Sequence, residues 1–215
     1  MKLYTYWRSS AAYRVRIALA LKGVSYERVV VSLHPDRLEQ YGEAYKAVSP
    51  EMRLPSLEVG GKLIGQSMAM LELIEETQKG PSLLPDNPWA RAEVRAFAQL
   101  IVSDTHPLQN MSVFKALRET FGADEAAIKA WAQTWIGRGL AACEARVSDS
   151  ETKFLFGNAP GFAEICLVPQ LYNARRFEVD VSAMPTLLDA EARCQELDAF
   201  KAALPEAQPD APVAP

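Results

Sequence analysis

The sequence has little of what metal centres and disulfide frameworks require. Among its 215 residues there are two histidines and three cysteines, Cys143, Cys166 and Cys194. The cysteines are odd in number, widely spaced and outside any CxxC motif, so the sequence predicts neither a disulfide framework nor a zinc site. Free thiols are typical of a reducing compartment, and we therefore expect a cytoplasmic protein.

Long apolar runs and a surplus of positive charge are also missing. No stretch of the sequence approaches the roughly 20 apolar residues that span a bilayer, and Met1–Tyr6 lacks the apolar core of a signal peptide. The 23 lysines and arginines are outnumbered by 27 aspartates and glutamates, which gives a net charge of −4. We therefore expect neither a membrane nor a nucleic acid among the partners.

What the chain does have is an ordinary globular composition, 49% hydrophobic and 23% charged. Its patterns change along the sequence, from short extended runs mixed with helices to almost continuous helical spacing. This change predicts two domains: an α/β domain over residues 1–80 and an all-α domain over 88–207, joined by a proline-rich linker over 81–87. The last segment, 208–215, has three prolines and almost no apolar anchor, which predicts a disordered tail.

In the first domain, extended runs and helical patterns alternate in the order β-α-β-α-β-β-α. The two glycines at 60–61 are typical of a two-residue hairpin turn, so the last two strands are predicted to be antiparallel. A helical crossover is predicted to make the first two strands parallel. The strands are predicted at 2–6, 26–33, 56–59 and 62–64, with helices at 10–23, 35–47 and from a cap at Ser67. The second domain has helical patterns at 89–119, 124–147, 162–177 and 186–204.

A polar turn, Ser9-Ser10, joins the first strand to the first helix. The start of a helix presents unpaired backbone N–H groups and a partial positive charge, which favour an anion such as a thiolate. Position 11 is alanine and no cysteine is near, so thiol chemistry at this turn requires a bound thiol. The alternative interpretation is that one of the serines only caps the helix.

Two further features suit a peptide ligand. Pro55 comes immediately before a strand, where proline is tolerated at an edge, a bulge or a tight turn, and a cis bond after Leu54 is predicted. The main chain of Leu54 could then pair with an extended peptide, while Ser67 and the amides behind it could bind a carboxylate. An ordinary turn proline and an ordinary helix cap are the alternatives.

The whole chain resembles a known family. Residues Ser9–Leu19 read SSAAYRVRIAL and resemble SSCxxRVRIAL, the signature of zeta-class glutathione transferases. The resemblance continues through Leu54–Leu57, Gln66-Ser67, His106–Asn110, Leu167–Gln170 and Asn173–Asp180. It implies a thioredoxin-like domain followed by an all-α domain, a homodimer, and glutathione-dependent cis–trans isomerisation of a small diacid such as maleylacetoacetate or maleylpyruvate.

The resemblance also assigns roles to single residues. It implies that Ser9 stabilises the glutathione thiolate and that Ser10 lies beside it in the same turn. The other residues implied to bind glutathione are Leu54, Pro55, Gln66, Ser67, His106 and Asn110. Those implied to face the substrate are Arg8, His106 and Arg176, and the implied catalytic residues are Ser9, Ser10 and Arg8. Arg14 and Arg16 are spaced so that they turn away from the start of the first helix, and they are expected to form structural ion pairs instead.

The sequence departs from the family pattern at two places. Ala11 replaces the usual cysteine, and Gly161 replaces the Ser or Thr of a helix capping box, although Glu164 could still bind the helix start. Two other functions use the same residues: glutathione conjugation or dehalogenation, and a non-catalytic glutathione-fold module. The polar groups Arg8, Ser9, Gln66, Ser67 and Arg176 argue against the module.

Overall fold

The computed structural model describes residues 1–212. The chain forms two compact units. The first, here called the sheet unit, comprises Met1–Ser82 and the residues from Gln195 onward, and the second, the helical unit, comprises Leu83–Cys194. The first boundary falls where a linker was predicted. The residues from Gln195 onward differ from the prediction, since they were expected to belong to the helical domain that ends at 207.

The sheet unit contains a four-stranded mixed sheet in the order β2-β1-β3-β4. Strand β1 pairs in parallel with β2, with Leu3 opposite Arg28, and antiparallel with β3, with Leu3 opposite Leu57. Strands β3 and β4 form the predicted hairpin around the glycine pair. The bounds are β1 Lys2–Thr5, β2 Glu27–Val30, β3 Ser56–Val59 and β4 Lys62–Ile64. This confirms the predicted thioredoxin-like layering.

Helix α1 (Ser10–Leu21) is buried along most of its length. It packs against α3 (Ser67–Thr77) and against the late helix α9 (Asp198–Ala203). Its Arg16 was expected to form an ion pair but instead donates hydrogen bonds to the backbone carbonyls of Tyr6, Trp7 and Ala203. Burial lowers the pKa of this guanidinium to about 10.

The helix predicted at 35–47 is mostly wrong. Only a 3-10 turn, Glu39–Tyr41, and the short helix α2, Glu43–Lys46, form in this segment. Leu38 has φ of 47°, in the left-handed region, so a right-handed helix cannot run through it. The helical spacing of the apolar residues is therefore not sufficient here, because the backbone conformation of Leu38 interrupts the helix.

The predicted disordered tail is wrong for residues 208–212, and residues 213–215 lie outside the described part. The Gln208 side chain is buried and donates hydrogen bonds to the carbonyls of Ala202 and Leu204. Asp210 accepts a hydrogen bond at 2.8 Å from the backbone N–H of Trp7. Polar contacts order this segment, which is why counting its apolar residues did not reveal it.

The helical unit has a core made mainly by α7, whose side chains are nearly all buried from Phe162 to Ala174. Its helices are α4 Pro88–Gln99, α5 Met111–Phe121, α6 Glu125–Val147, α7 Phe162–Arg176 and α8 Pro185–Gln195. The helix predicted at 89–119 is interrupted, because a π-helical segment, Leu100–Thr105, and a 3-10 turn, His106–Gln109, separate α4 from α5. Pro107 has no N–H with which to continue an α-helix. Within residues 1–212, no helix is long and apolar enough to cross a membrane.

Candidate active site

The turn between β1 and α1 places Ser9 at the cap position of the helix. Its Oγ accepts a hydrogen bond at 3.2 Å from the N–H of Ala12, and its backbone is extended, as a helix cap requires. Because a hydroxyl can accept and donate at once, the Ser9 O–H keeps a proton to donate. Ser9 is half-buried and Ser10 is buried as the first residue of the helix. Capping and anion binding are therefore compatible at Ser9.

The loop before β3 lies at the same end of the sheet as this turn, since β1 and β3 are antiparallel and Tyr4 pairs with Ser56. The peptide bond between Leu54 and Pro55 is cis, as predicted. In the described part of the chain, neither the N–H nor the C=O of Leu54 takes part in a hydrogen bond. Leu54 is half-buried, so its main chain can pair with an extended peptide.

Helix α3 begins at Ser67, one residue earlier than the predicted cap implied. Gln66 occupies the cap position, and its side chain makes no capping hydrogen bond. Its φ of 63° lies in the left-handed region, which costs free energy for a residue other than glycine. Ser67 is buried and accepts a hydrogen bond at 3.1 Å from Nη1 of the buried Arg14. The start of α3 thus combines backbone amides with a buried positive charge, which suits a carboxylate.

Arg8 is exposed at the tip of the β1–α1 turn. Its guanidinium carbon lies 5.4 Å from the centre of the Trp7 ring, a cation–π contact that restrains the side chain. The same turn is held by Asp210 through the backbone of Trp7. Arg8 is therefore an accessible cation on a restrained turn, one residue before Ser9 in the sequence.

In the helical unit, His106 begins the 3-10 turn and is half-buried. Asn110 ends the turn and caps α5, since its Oδ1 accepts a hydrogen bond at 3.3 Å from the N–H of Ser112. The turn follows the π-helical segment, a rare geometry that is frequent at functional sites. The structure therefore gives Asn110 a capping role, whereas its predicted binding role stays a prediction.

Arg176 lies at the last position of α7 and is exposed. Its Nη1 donates a hydrogen bond at 2.7 Å to Oδ1 of Asn173, and its guanidinium carbon lies 5.5 Å from the centre of the Phe177 ring. Asn173 in turn donates to Oε1 of Gln109, the last residue of the 3-10 turn. The structure thus joins the turn of His106 to Arg176 within the helical unit.

Arg175, next to Arg176, has a different partner. It forms an ion pair with Glu191, with Nη1 2.6 Å from Oε1. The hydrogen bond to Glu191 raises the pKa of Arg175 above its ordinary value. Its charge is therefore committed to a structural contact, whereas the substrate-facing role of Arg176 stays a prediction.

The sequence interpretation assigned no role at the site to three residues that the structure places against site residues: Arg14, Gln109 and Asn173. Arg14 was assigned to a structural ion pair, and the structure gives it a contact with Ser67. Gln109 and Asn173 both fall inside motifs of the resemblance. One signal in the sequence could have identified Gln109 and Asn173: both are polar residues at positions where the helical spacing predicts a buried, apolar side chain.

The second departure from the family pattern is accommodated at the start of α7. Gly161 provides no side-chain cap, but Glu164 accepts hydrogen bonds at 2.8 Å from the N–H of Gly161 and at 2.8 Å from that of Leu155. The capping box is thus half retained. A Cβ at Gly161 would lie 2.5 Å from the carbonyl oxygen of Leu83, so the glycine permits a close approach of two backbones.

Comparison with known proteins places the whole chain in one family. The family model for the glutathione S-transferase N-terminal domain matches residues 1–76. A maleylpyruvate isomerase from a Ralstonia species is 45% identical over 98% of this chain and 99% of its own, and a maleylacetoacetate isomerase from Pseudomonas aeruginosa is 45% identical over 100% of both chains.

Solved structures agree with the sequence comparison. The holo structure of a maleylpyruvate isomerase, described as a bacterial glutathione S-transferase of the zeta class, has a TM-score of 0.95 at 44% identity and covers 99% of this chain and 100% of its own. A maleylacetoacetate isomerase from Methylobacterium extorquens, solved with malonate and glutathione, has a TM-score of 0.95 at 36% identity with the same coverage. The chain therefore belongs to the zeta class of glutathione transferases.

Proposed function

We propose that this protein is a glutathione-dependent cis–trans isomerase of a small unsaturated keto-diacid, maleylacetoacetate or maleylpyruvate. The observation that carries the proposal is the β1–α1 turn, where the Ser9 hydroxyl and a helix start form an anion site that contains no thiol of its own. Relatives with both isomerase names are 45% identical to the chain. A structural relative holds glutathione together with malonate, a small diacid.

The residues of the sheet unit fit glutathione. Leu54 offers a free main-chain donor and acceptor to the cysteinyl part of the tripeptide, beside the cis Pro55. Gln66 and Ser67, at the start of α3 and next to Arg14, offer amides and positive charge to the γ-glutamyl carboxylate. Bound glutathione supplies the thiol nucleophile that the chain lacks at position 11.

Ser9 favours the thiolate form of that nucleophile. A free cysteine thiol has a pKa near 8.5, so only a few per cent of it is ionised at pH 7. The partial positive charge at the start of α1 and the Ser9 O–H both stabilise the anion, which raises its fraction. Ser10, buried one residue later, is the first residue of the helix.

Two arginines provide for the diacid. A guanidinium binds a carboxylate through two parallel hydrogen bonds. Arg8 and Arg176 are both exposed, and each makes a cation–π contact with the neighbouring aromatic ring, that of Trp7 and that of Phe177. The same positive charges stabilise negative charge that develops on the substrate during the reaction. His106 and Asn110, on one short turn, complete the proposed set in the helical unit.

The test is an assay of the purified protein with maleylpyruvate and with maleylacetoacetate, each followed by its ultraviolet absorbance, with and without glutathione. We expect rapid conversion of one substrate that depends on glutathione. Conversion of neither substrate, with glutathione binding intact by calorimetry, would overturn the proposal. Assays with an aryl halide and an α-halo acid would then separate a conjugating or dehalogenating enzyme from a non-catalytic module.

We further propose a homodimer in the cytoplasm. The dimer is implied by the family, and three buried cysteines that form no disulfide suit a reducing compartment. Analytical ultracentrifugation of the full chain should give a mass near twice 23.7 kDa. A single species at the monomer mass, at the concentration used in the assay, would contradict the dimer.

A further inference from the structure

Three amide side chains form a hydrogen-bonded chain in the core of the helical unit. Gln170, Gln109 and Asn173 are 0%, 5% and 4% exposed. Gln109 Nε2 donates to Gln170 Oε1 at 2.8 Å, Asn173 Nδ2 donates to Gln109 Oε1, and Arg176 Nη1 donates to Asn173 Oδ1 at 2.7 Å. Burying an amide is costly unless it is hydrogen-bonded, so such a chain needs a purpose that an apolar core would not serve.

The end of the chain at Arg176 fixes the direction of every bond in it. A guanidinium only donates hydrogen bonds, so Asn173 must turn its oxygen toward Arg176 and its nitrogen toward Gln109. Gln109 must then receive with its oxygen and donate with its nitrogen to Gln170. Each amide therefore has one allowed orientation. The buried amides in turn determine where Asn173 Oδ1 lies, and this oxygen determines the position of Arg176 Nη1.

The Arg176 side chain is restrained on a second side. Its guanidinium carbon lies 5.5 Å from the centre of the Phe177 ring, and Phe177 packs edge-on against the buried Phe114 with ring centres 5.7 Å apart. The hydrogen bond to Asn173 holds one nitrogen, and the contact with the ring limits the movement of the rest of the guanidinium. Since Asn173 is neutral, it orients the guanidinium without cancelling the charge that a substrate carboxylate requires.

We propose that Gln109 and Asn173 are positioning residues that orient Arg176 for a carboxylate of the diacid. This inference rests on the proposed function, in which Arg176 binds the substrate. Displacing a binding group by about 1 Å can cost up to 10²-fold in rate, so a loss of orientation is measurable even if the arginine remains. Glutathione is assigned mainly to residues of the sheet unit, so its binding is expected to be insensitive to the amide chain.

The test is a double-mutant cycle between Asn173→Leu and Arg176→Ala, read by steady-state kinetics with diacid and glutathione varied separately. We expect Asn173→Leu to lower kcat/KM for the diacid about tenfold, the size expected for a lost hydrogen bond to a charged group. We expect the KM for glutathione to stay within about twofold. In the Arg176→Ala background, Asn173→Leu should have no further effect, because it acts through the arginine.

Two other variants keep the test decisive. Gln109→Leu leaves the contact between Asn173 and Arg176 in place but frees the orientation of the Asn173 amide, so a smaller fall, about threefold, is expected. It also serves if Asn173→Leu does not fold. Arg175→Lys is the matched control for Arg176→Lys: it loses one of the two hydrogen bonds to Glu191 but keeps a positive charge beside it, and it should leave the diacid KM unchanged. Arg176→Lys loses the two-pronged contact with the substrate and should raise that KM.

The outcomes separate the two proposals. If Arg176→Ala lowers kcat/KM for the diacid but Asn173→Leu and Gln109→Leu do not, or if they act equally in the Arg176→Ala background, the positioning role is overturned and the isomerase function stands. If Arg176→Ala itself has no effect, the role of Arg176 in the proposed function is wrong and the positioning role fails with it.

Discussion

The sheet unit and the helical unit hold their candidate site residues by different means. In the sheet unit, backbone geometry does most of this: Ser9 is fixed by a helix cap, Leu54 by its place before a cis proline, and Gln66 by a left-handed φ. In the helical unit, Arg176 is fixed by side chains, chiefly Asn173. A backbone-held site depends on a few special positions, whereas a side-chain-held site depends on how the core is packed.

This difference has a functional counterpart. Solved relatives hold glutathione. The turns of the sheet unit suit this tripeptide, since main-chain donors and acceptors do not change with substitution. The diacid is assigned in part to side chains of the helical unit, and small changes of packing there can redirect an arginine. We therefore expect substitutions in the sheet unit to act on glutathione and those in the helical unit to act on the diacid.

The largest expected effect is at Ser9, which tests whether a residue held by backbone geometry acts through its side chain. Ser9→Ala and Ser9→Gly both remove the hydroxyl, but glycine is a better helix cap than alanine. If the hydroxyl stabilises the thiolate, both variants should lose about 10²-fold in kcat, the usual cost of one lost anion-stabilising donor. The KM for glutathione should change much less. The measurement is steady-state isomerisation, with thermal unfolding as the control for folding.

The Ser9 pair also distinguishes catalysis from capping. Thermal unfolding should show Ser9→Ala less stable than Ser9→Gly by some tenths of a kcal/mol to about 1 kcal/mol. If kcat followed this order instead, with Ser9→Gly almost fully active, the serine would act only as a cap, and the backbone amides of α1 would be enough to bind the thiolate.

Two glycines on α6 offer a second test, in the helical unit. A Cβ at Gly139 would lie 2.0 Å from Oγ1 and 2.7 Å from Cγ2 of Thr105, the residue before His106. Thr105 cannot simply rotate, because its Oγ1 donates a hydrogen bond at 2.7 Å to the carbonyl of Leu100. We expect Gly139→Ala to lower the free energy of unfolding by about 1–3 kcal/mol and to raise the KM for the diacid.

Gly137, two residues earlier on the same helix, is the matched control. The nearest atom to its Cβ would be Cγ1 of Val179 at 3.8 Å, an ordinary contact. Gly137→Ala should therefore stabilise the protein by about 0.5–1 kcal/mol through helix propensity. Equal effects at the two glycines in chemical denaturation would show that the side-chain packing around the π-helical segment is softer than the structure indicates.

The sequence predicted the backbone-held features better than the side-chain-held ones, for a physical reason. The hairpin at Gly60, the cap at Ser9 and the cis bond at Pro55 each leave a local signature, because few residues adopt those conformations. The contact between Gln109 and Asn173 joins residues 64 positions apart, and no local spacing encodes it. The helix predicted at 35–47 does not form as one element, because a single residue, Leu38, has a left-handed backbone.

A smaller effect is expected at Gln66, where the backbone can be relaxed. Its φ of 63° is unfavourable for alanine and acceptable for glycine. Gln66→Gly should therefore be more stable than Gln66→Ala by about 1 kcal/mol, while both lose the amide side chain and raise the KM for glutathione to a similar degree. Equal stability of the two variants in urea unfolding would mean that the start of α3 is not held in a strained conformation.

The smallest expected effect is a pH dependence at the start of α7, the helix that carries Asn173 and Arg176. Burial raises the pKa of Glu164 above the ordinary value of 4.5, although hydrogen bonds from the N–H groups of Gly161 and Leu155 act in the opposite direction. The folded state then holds this proton more tightly than the unfolded state. Its contribution to stability is complete below pH 4.5 and is lost as the pH rises through the raised pKa.

Glu164→Gln removes the titrating group, so the difference between wild type and variant reports the pH dependence due to Glu164 alone. The difference in unfolding free energy, wild type minus variant, should fall as the pH rises from about 4 toward neutrality, whatever its absolute size. The variant also turns an amide nitrogen toward one of the two backbone N–H groups, which lowers stability at every pH. A difference that grew with pH would mean that the two backbone hydrogen bonds lower the pKa of Glu164 by more than burial raises it. The start of α7 would then be stabilised by the ionised carboxylate of Glu164, bound to backbone N–H groups.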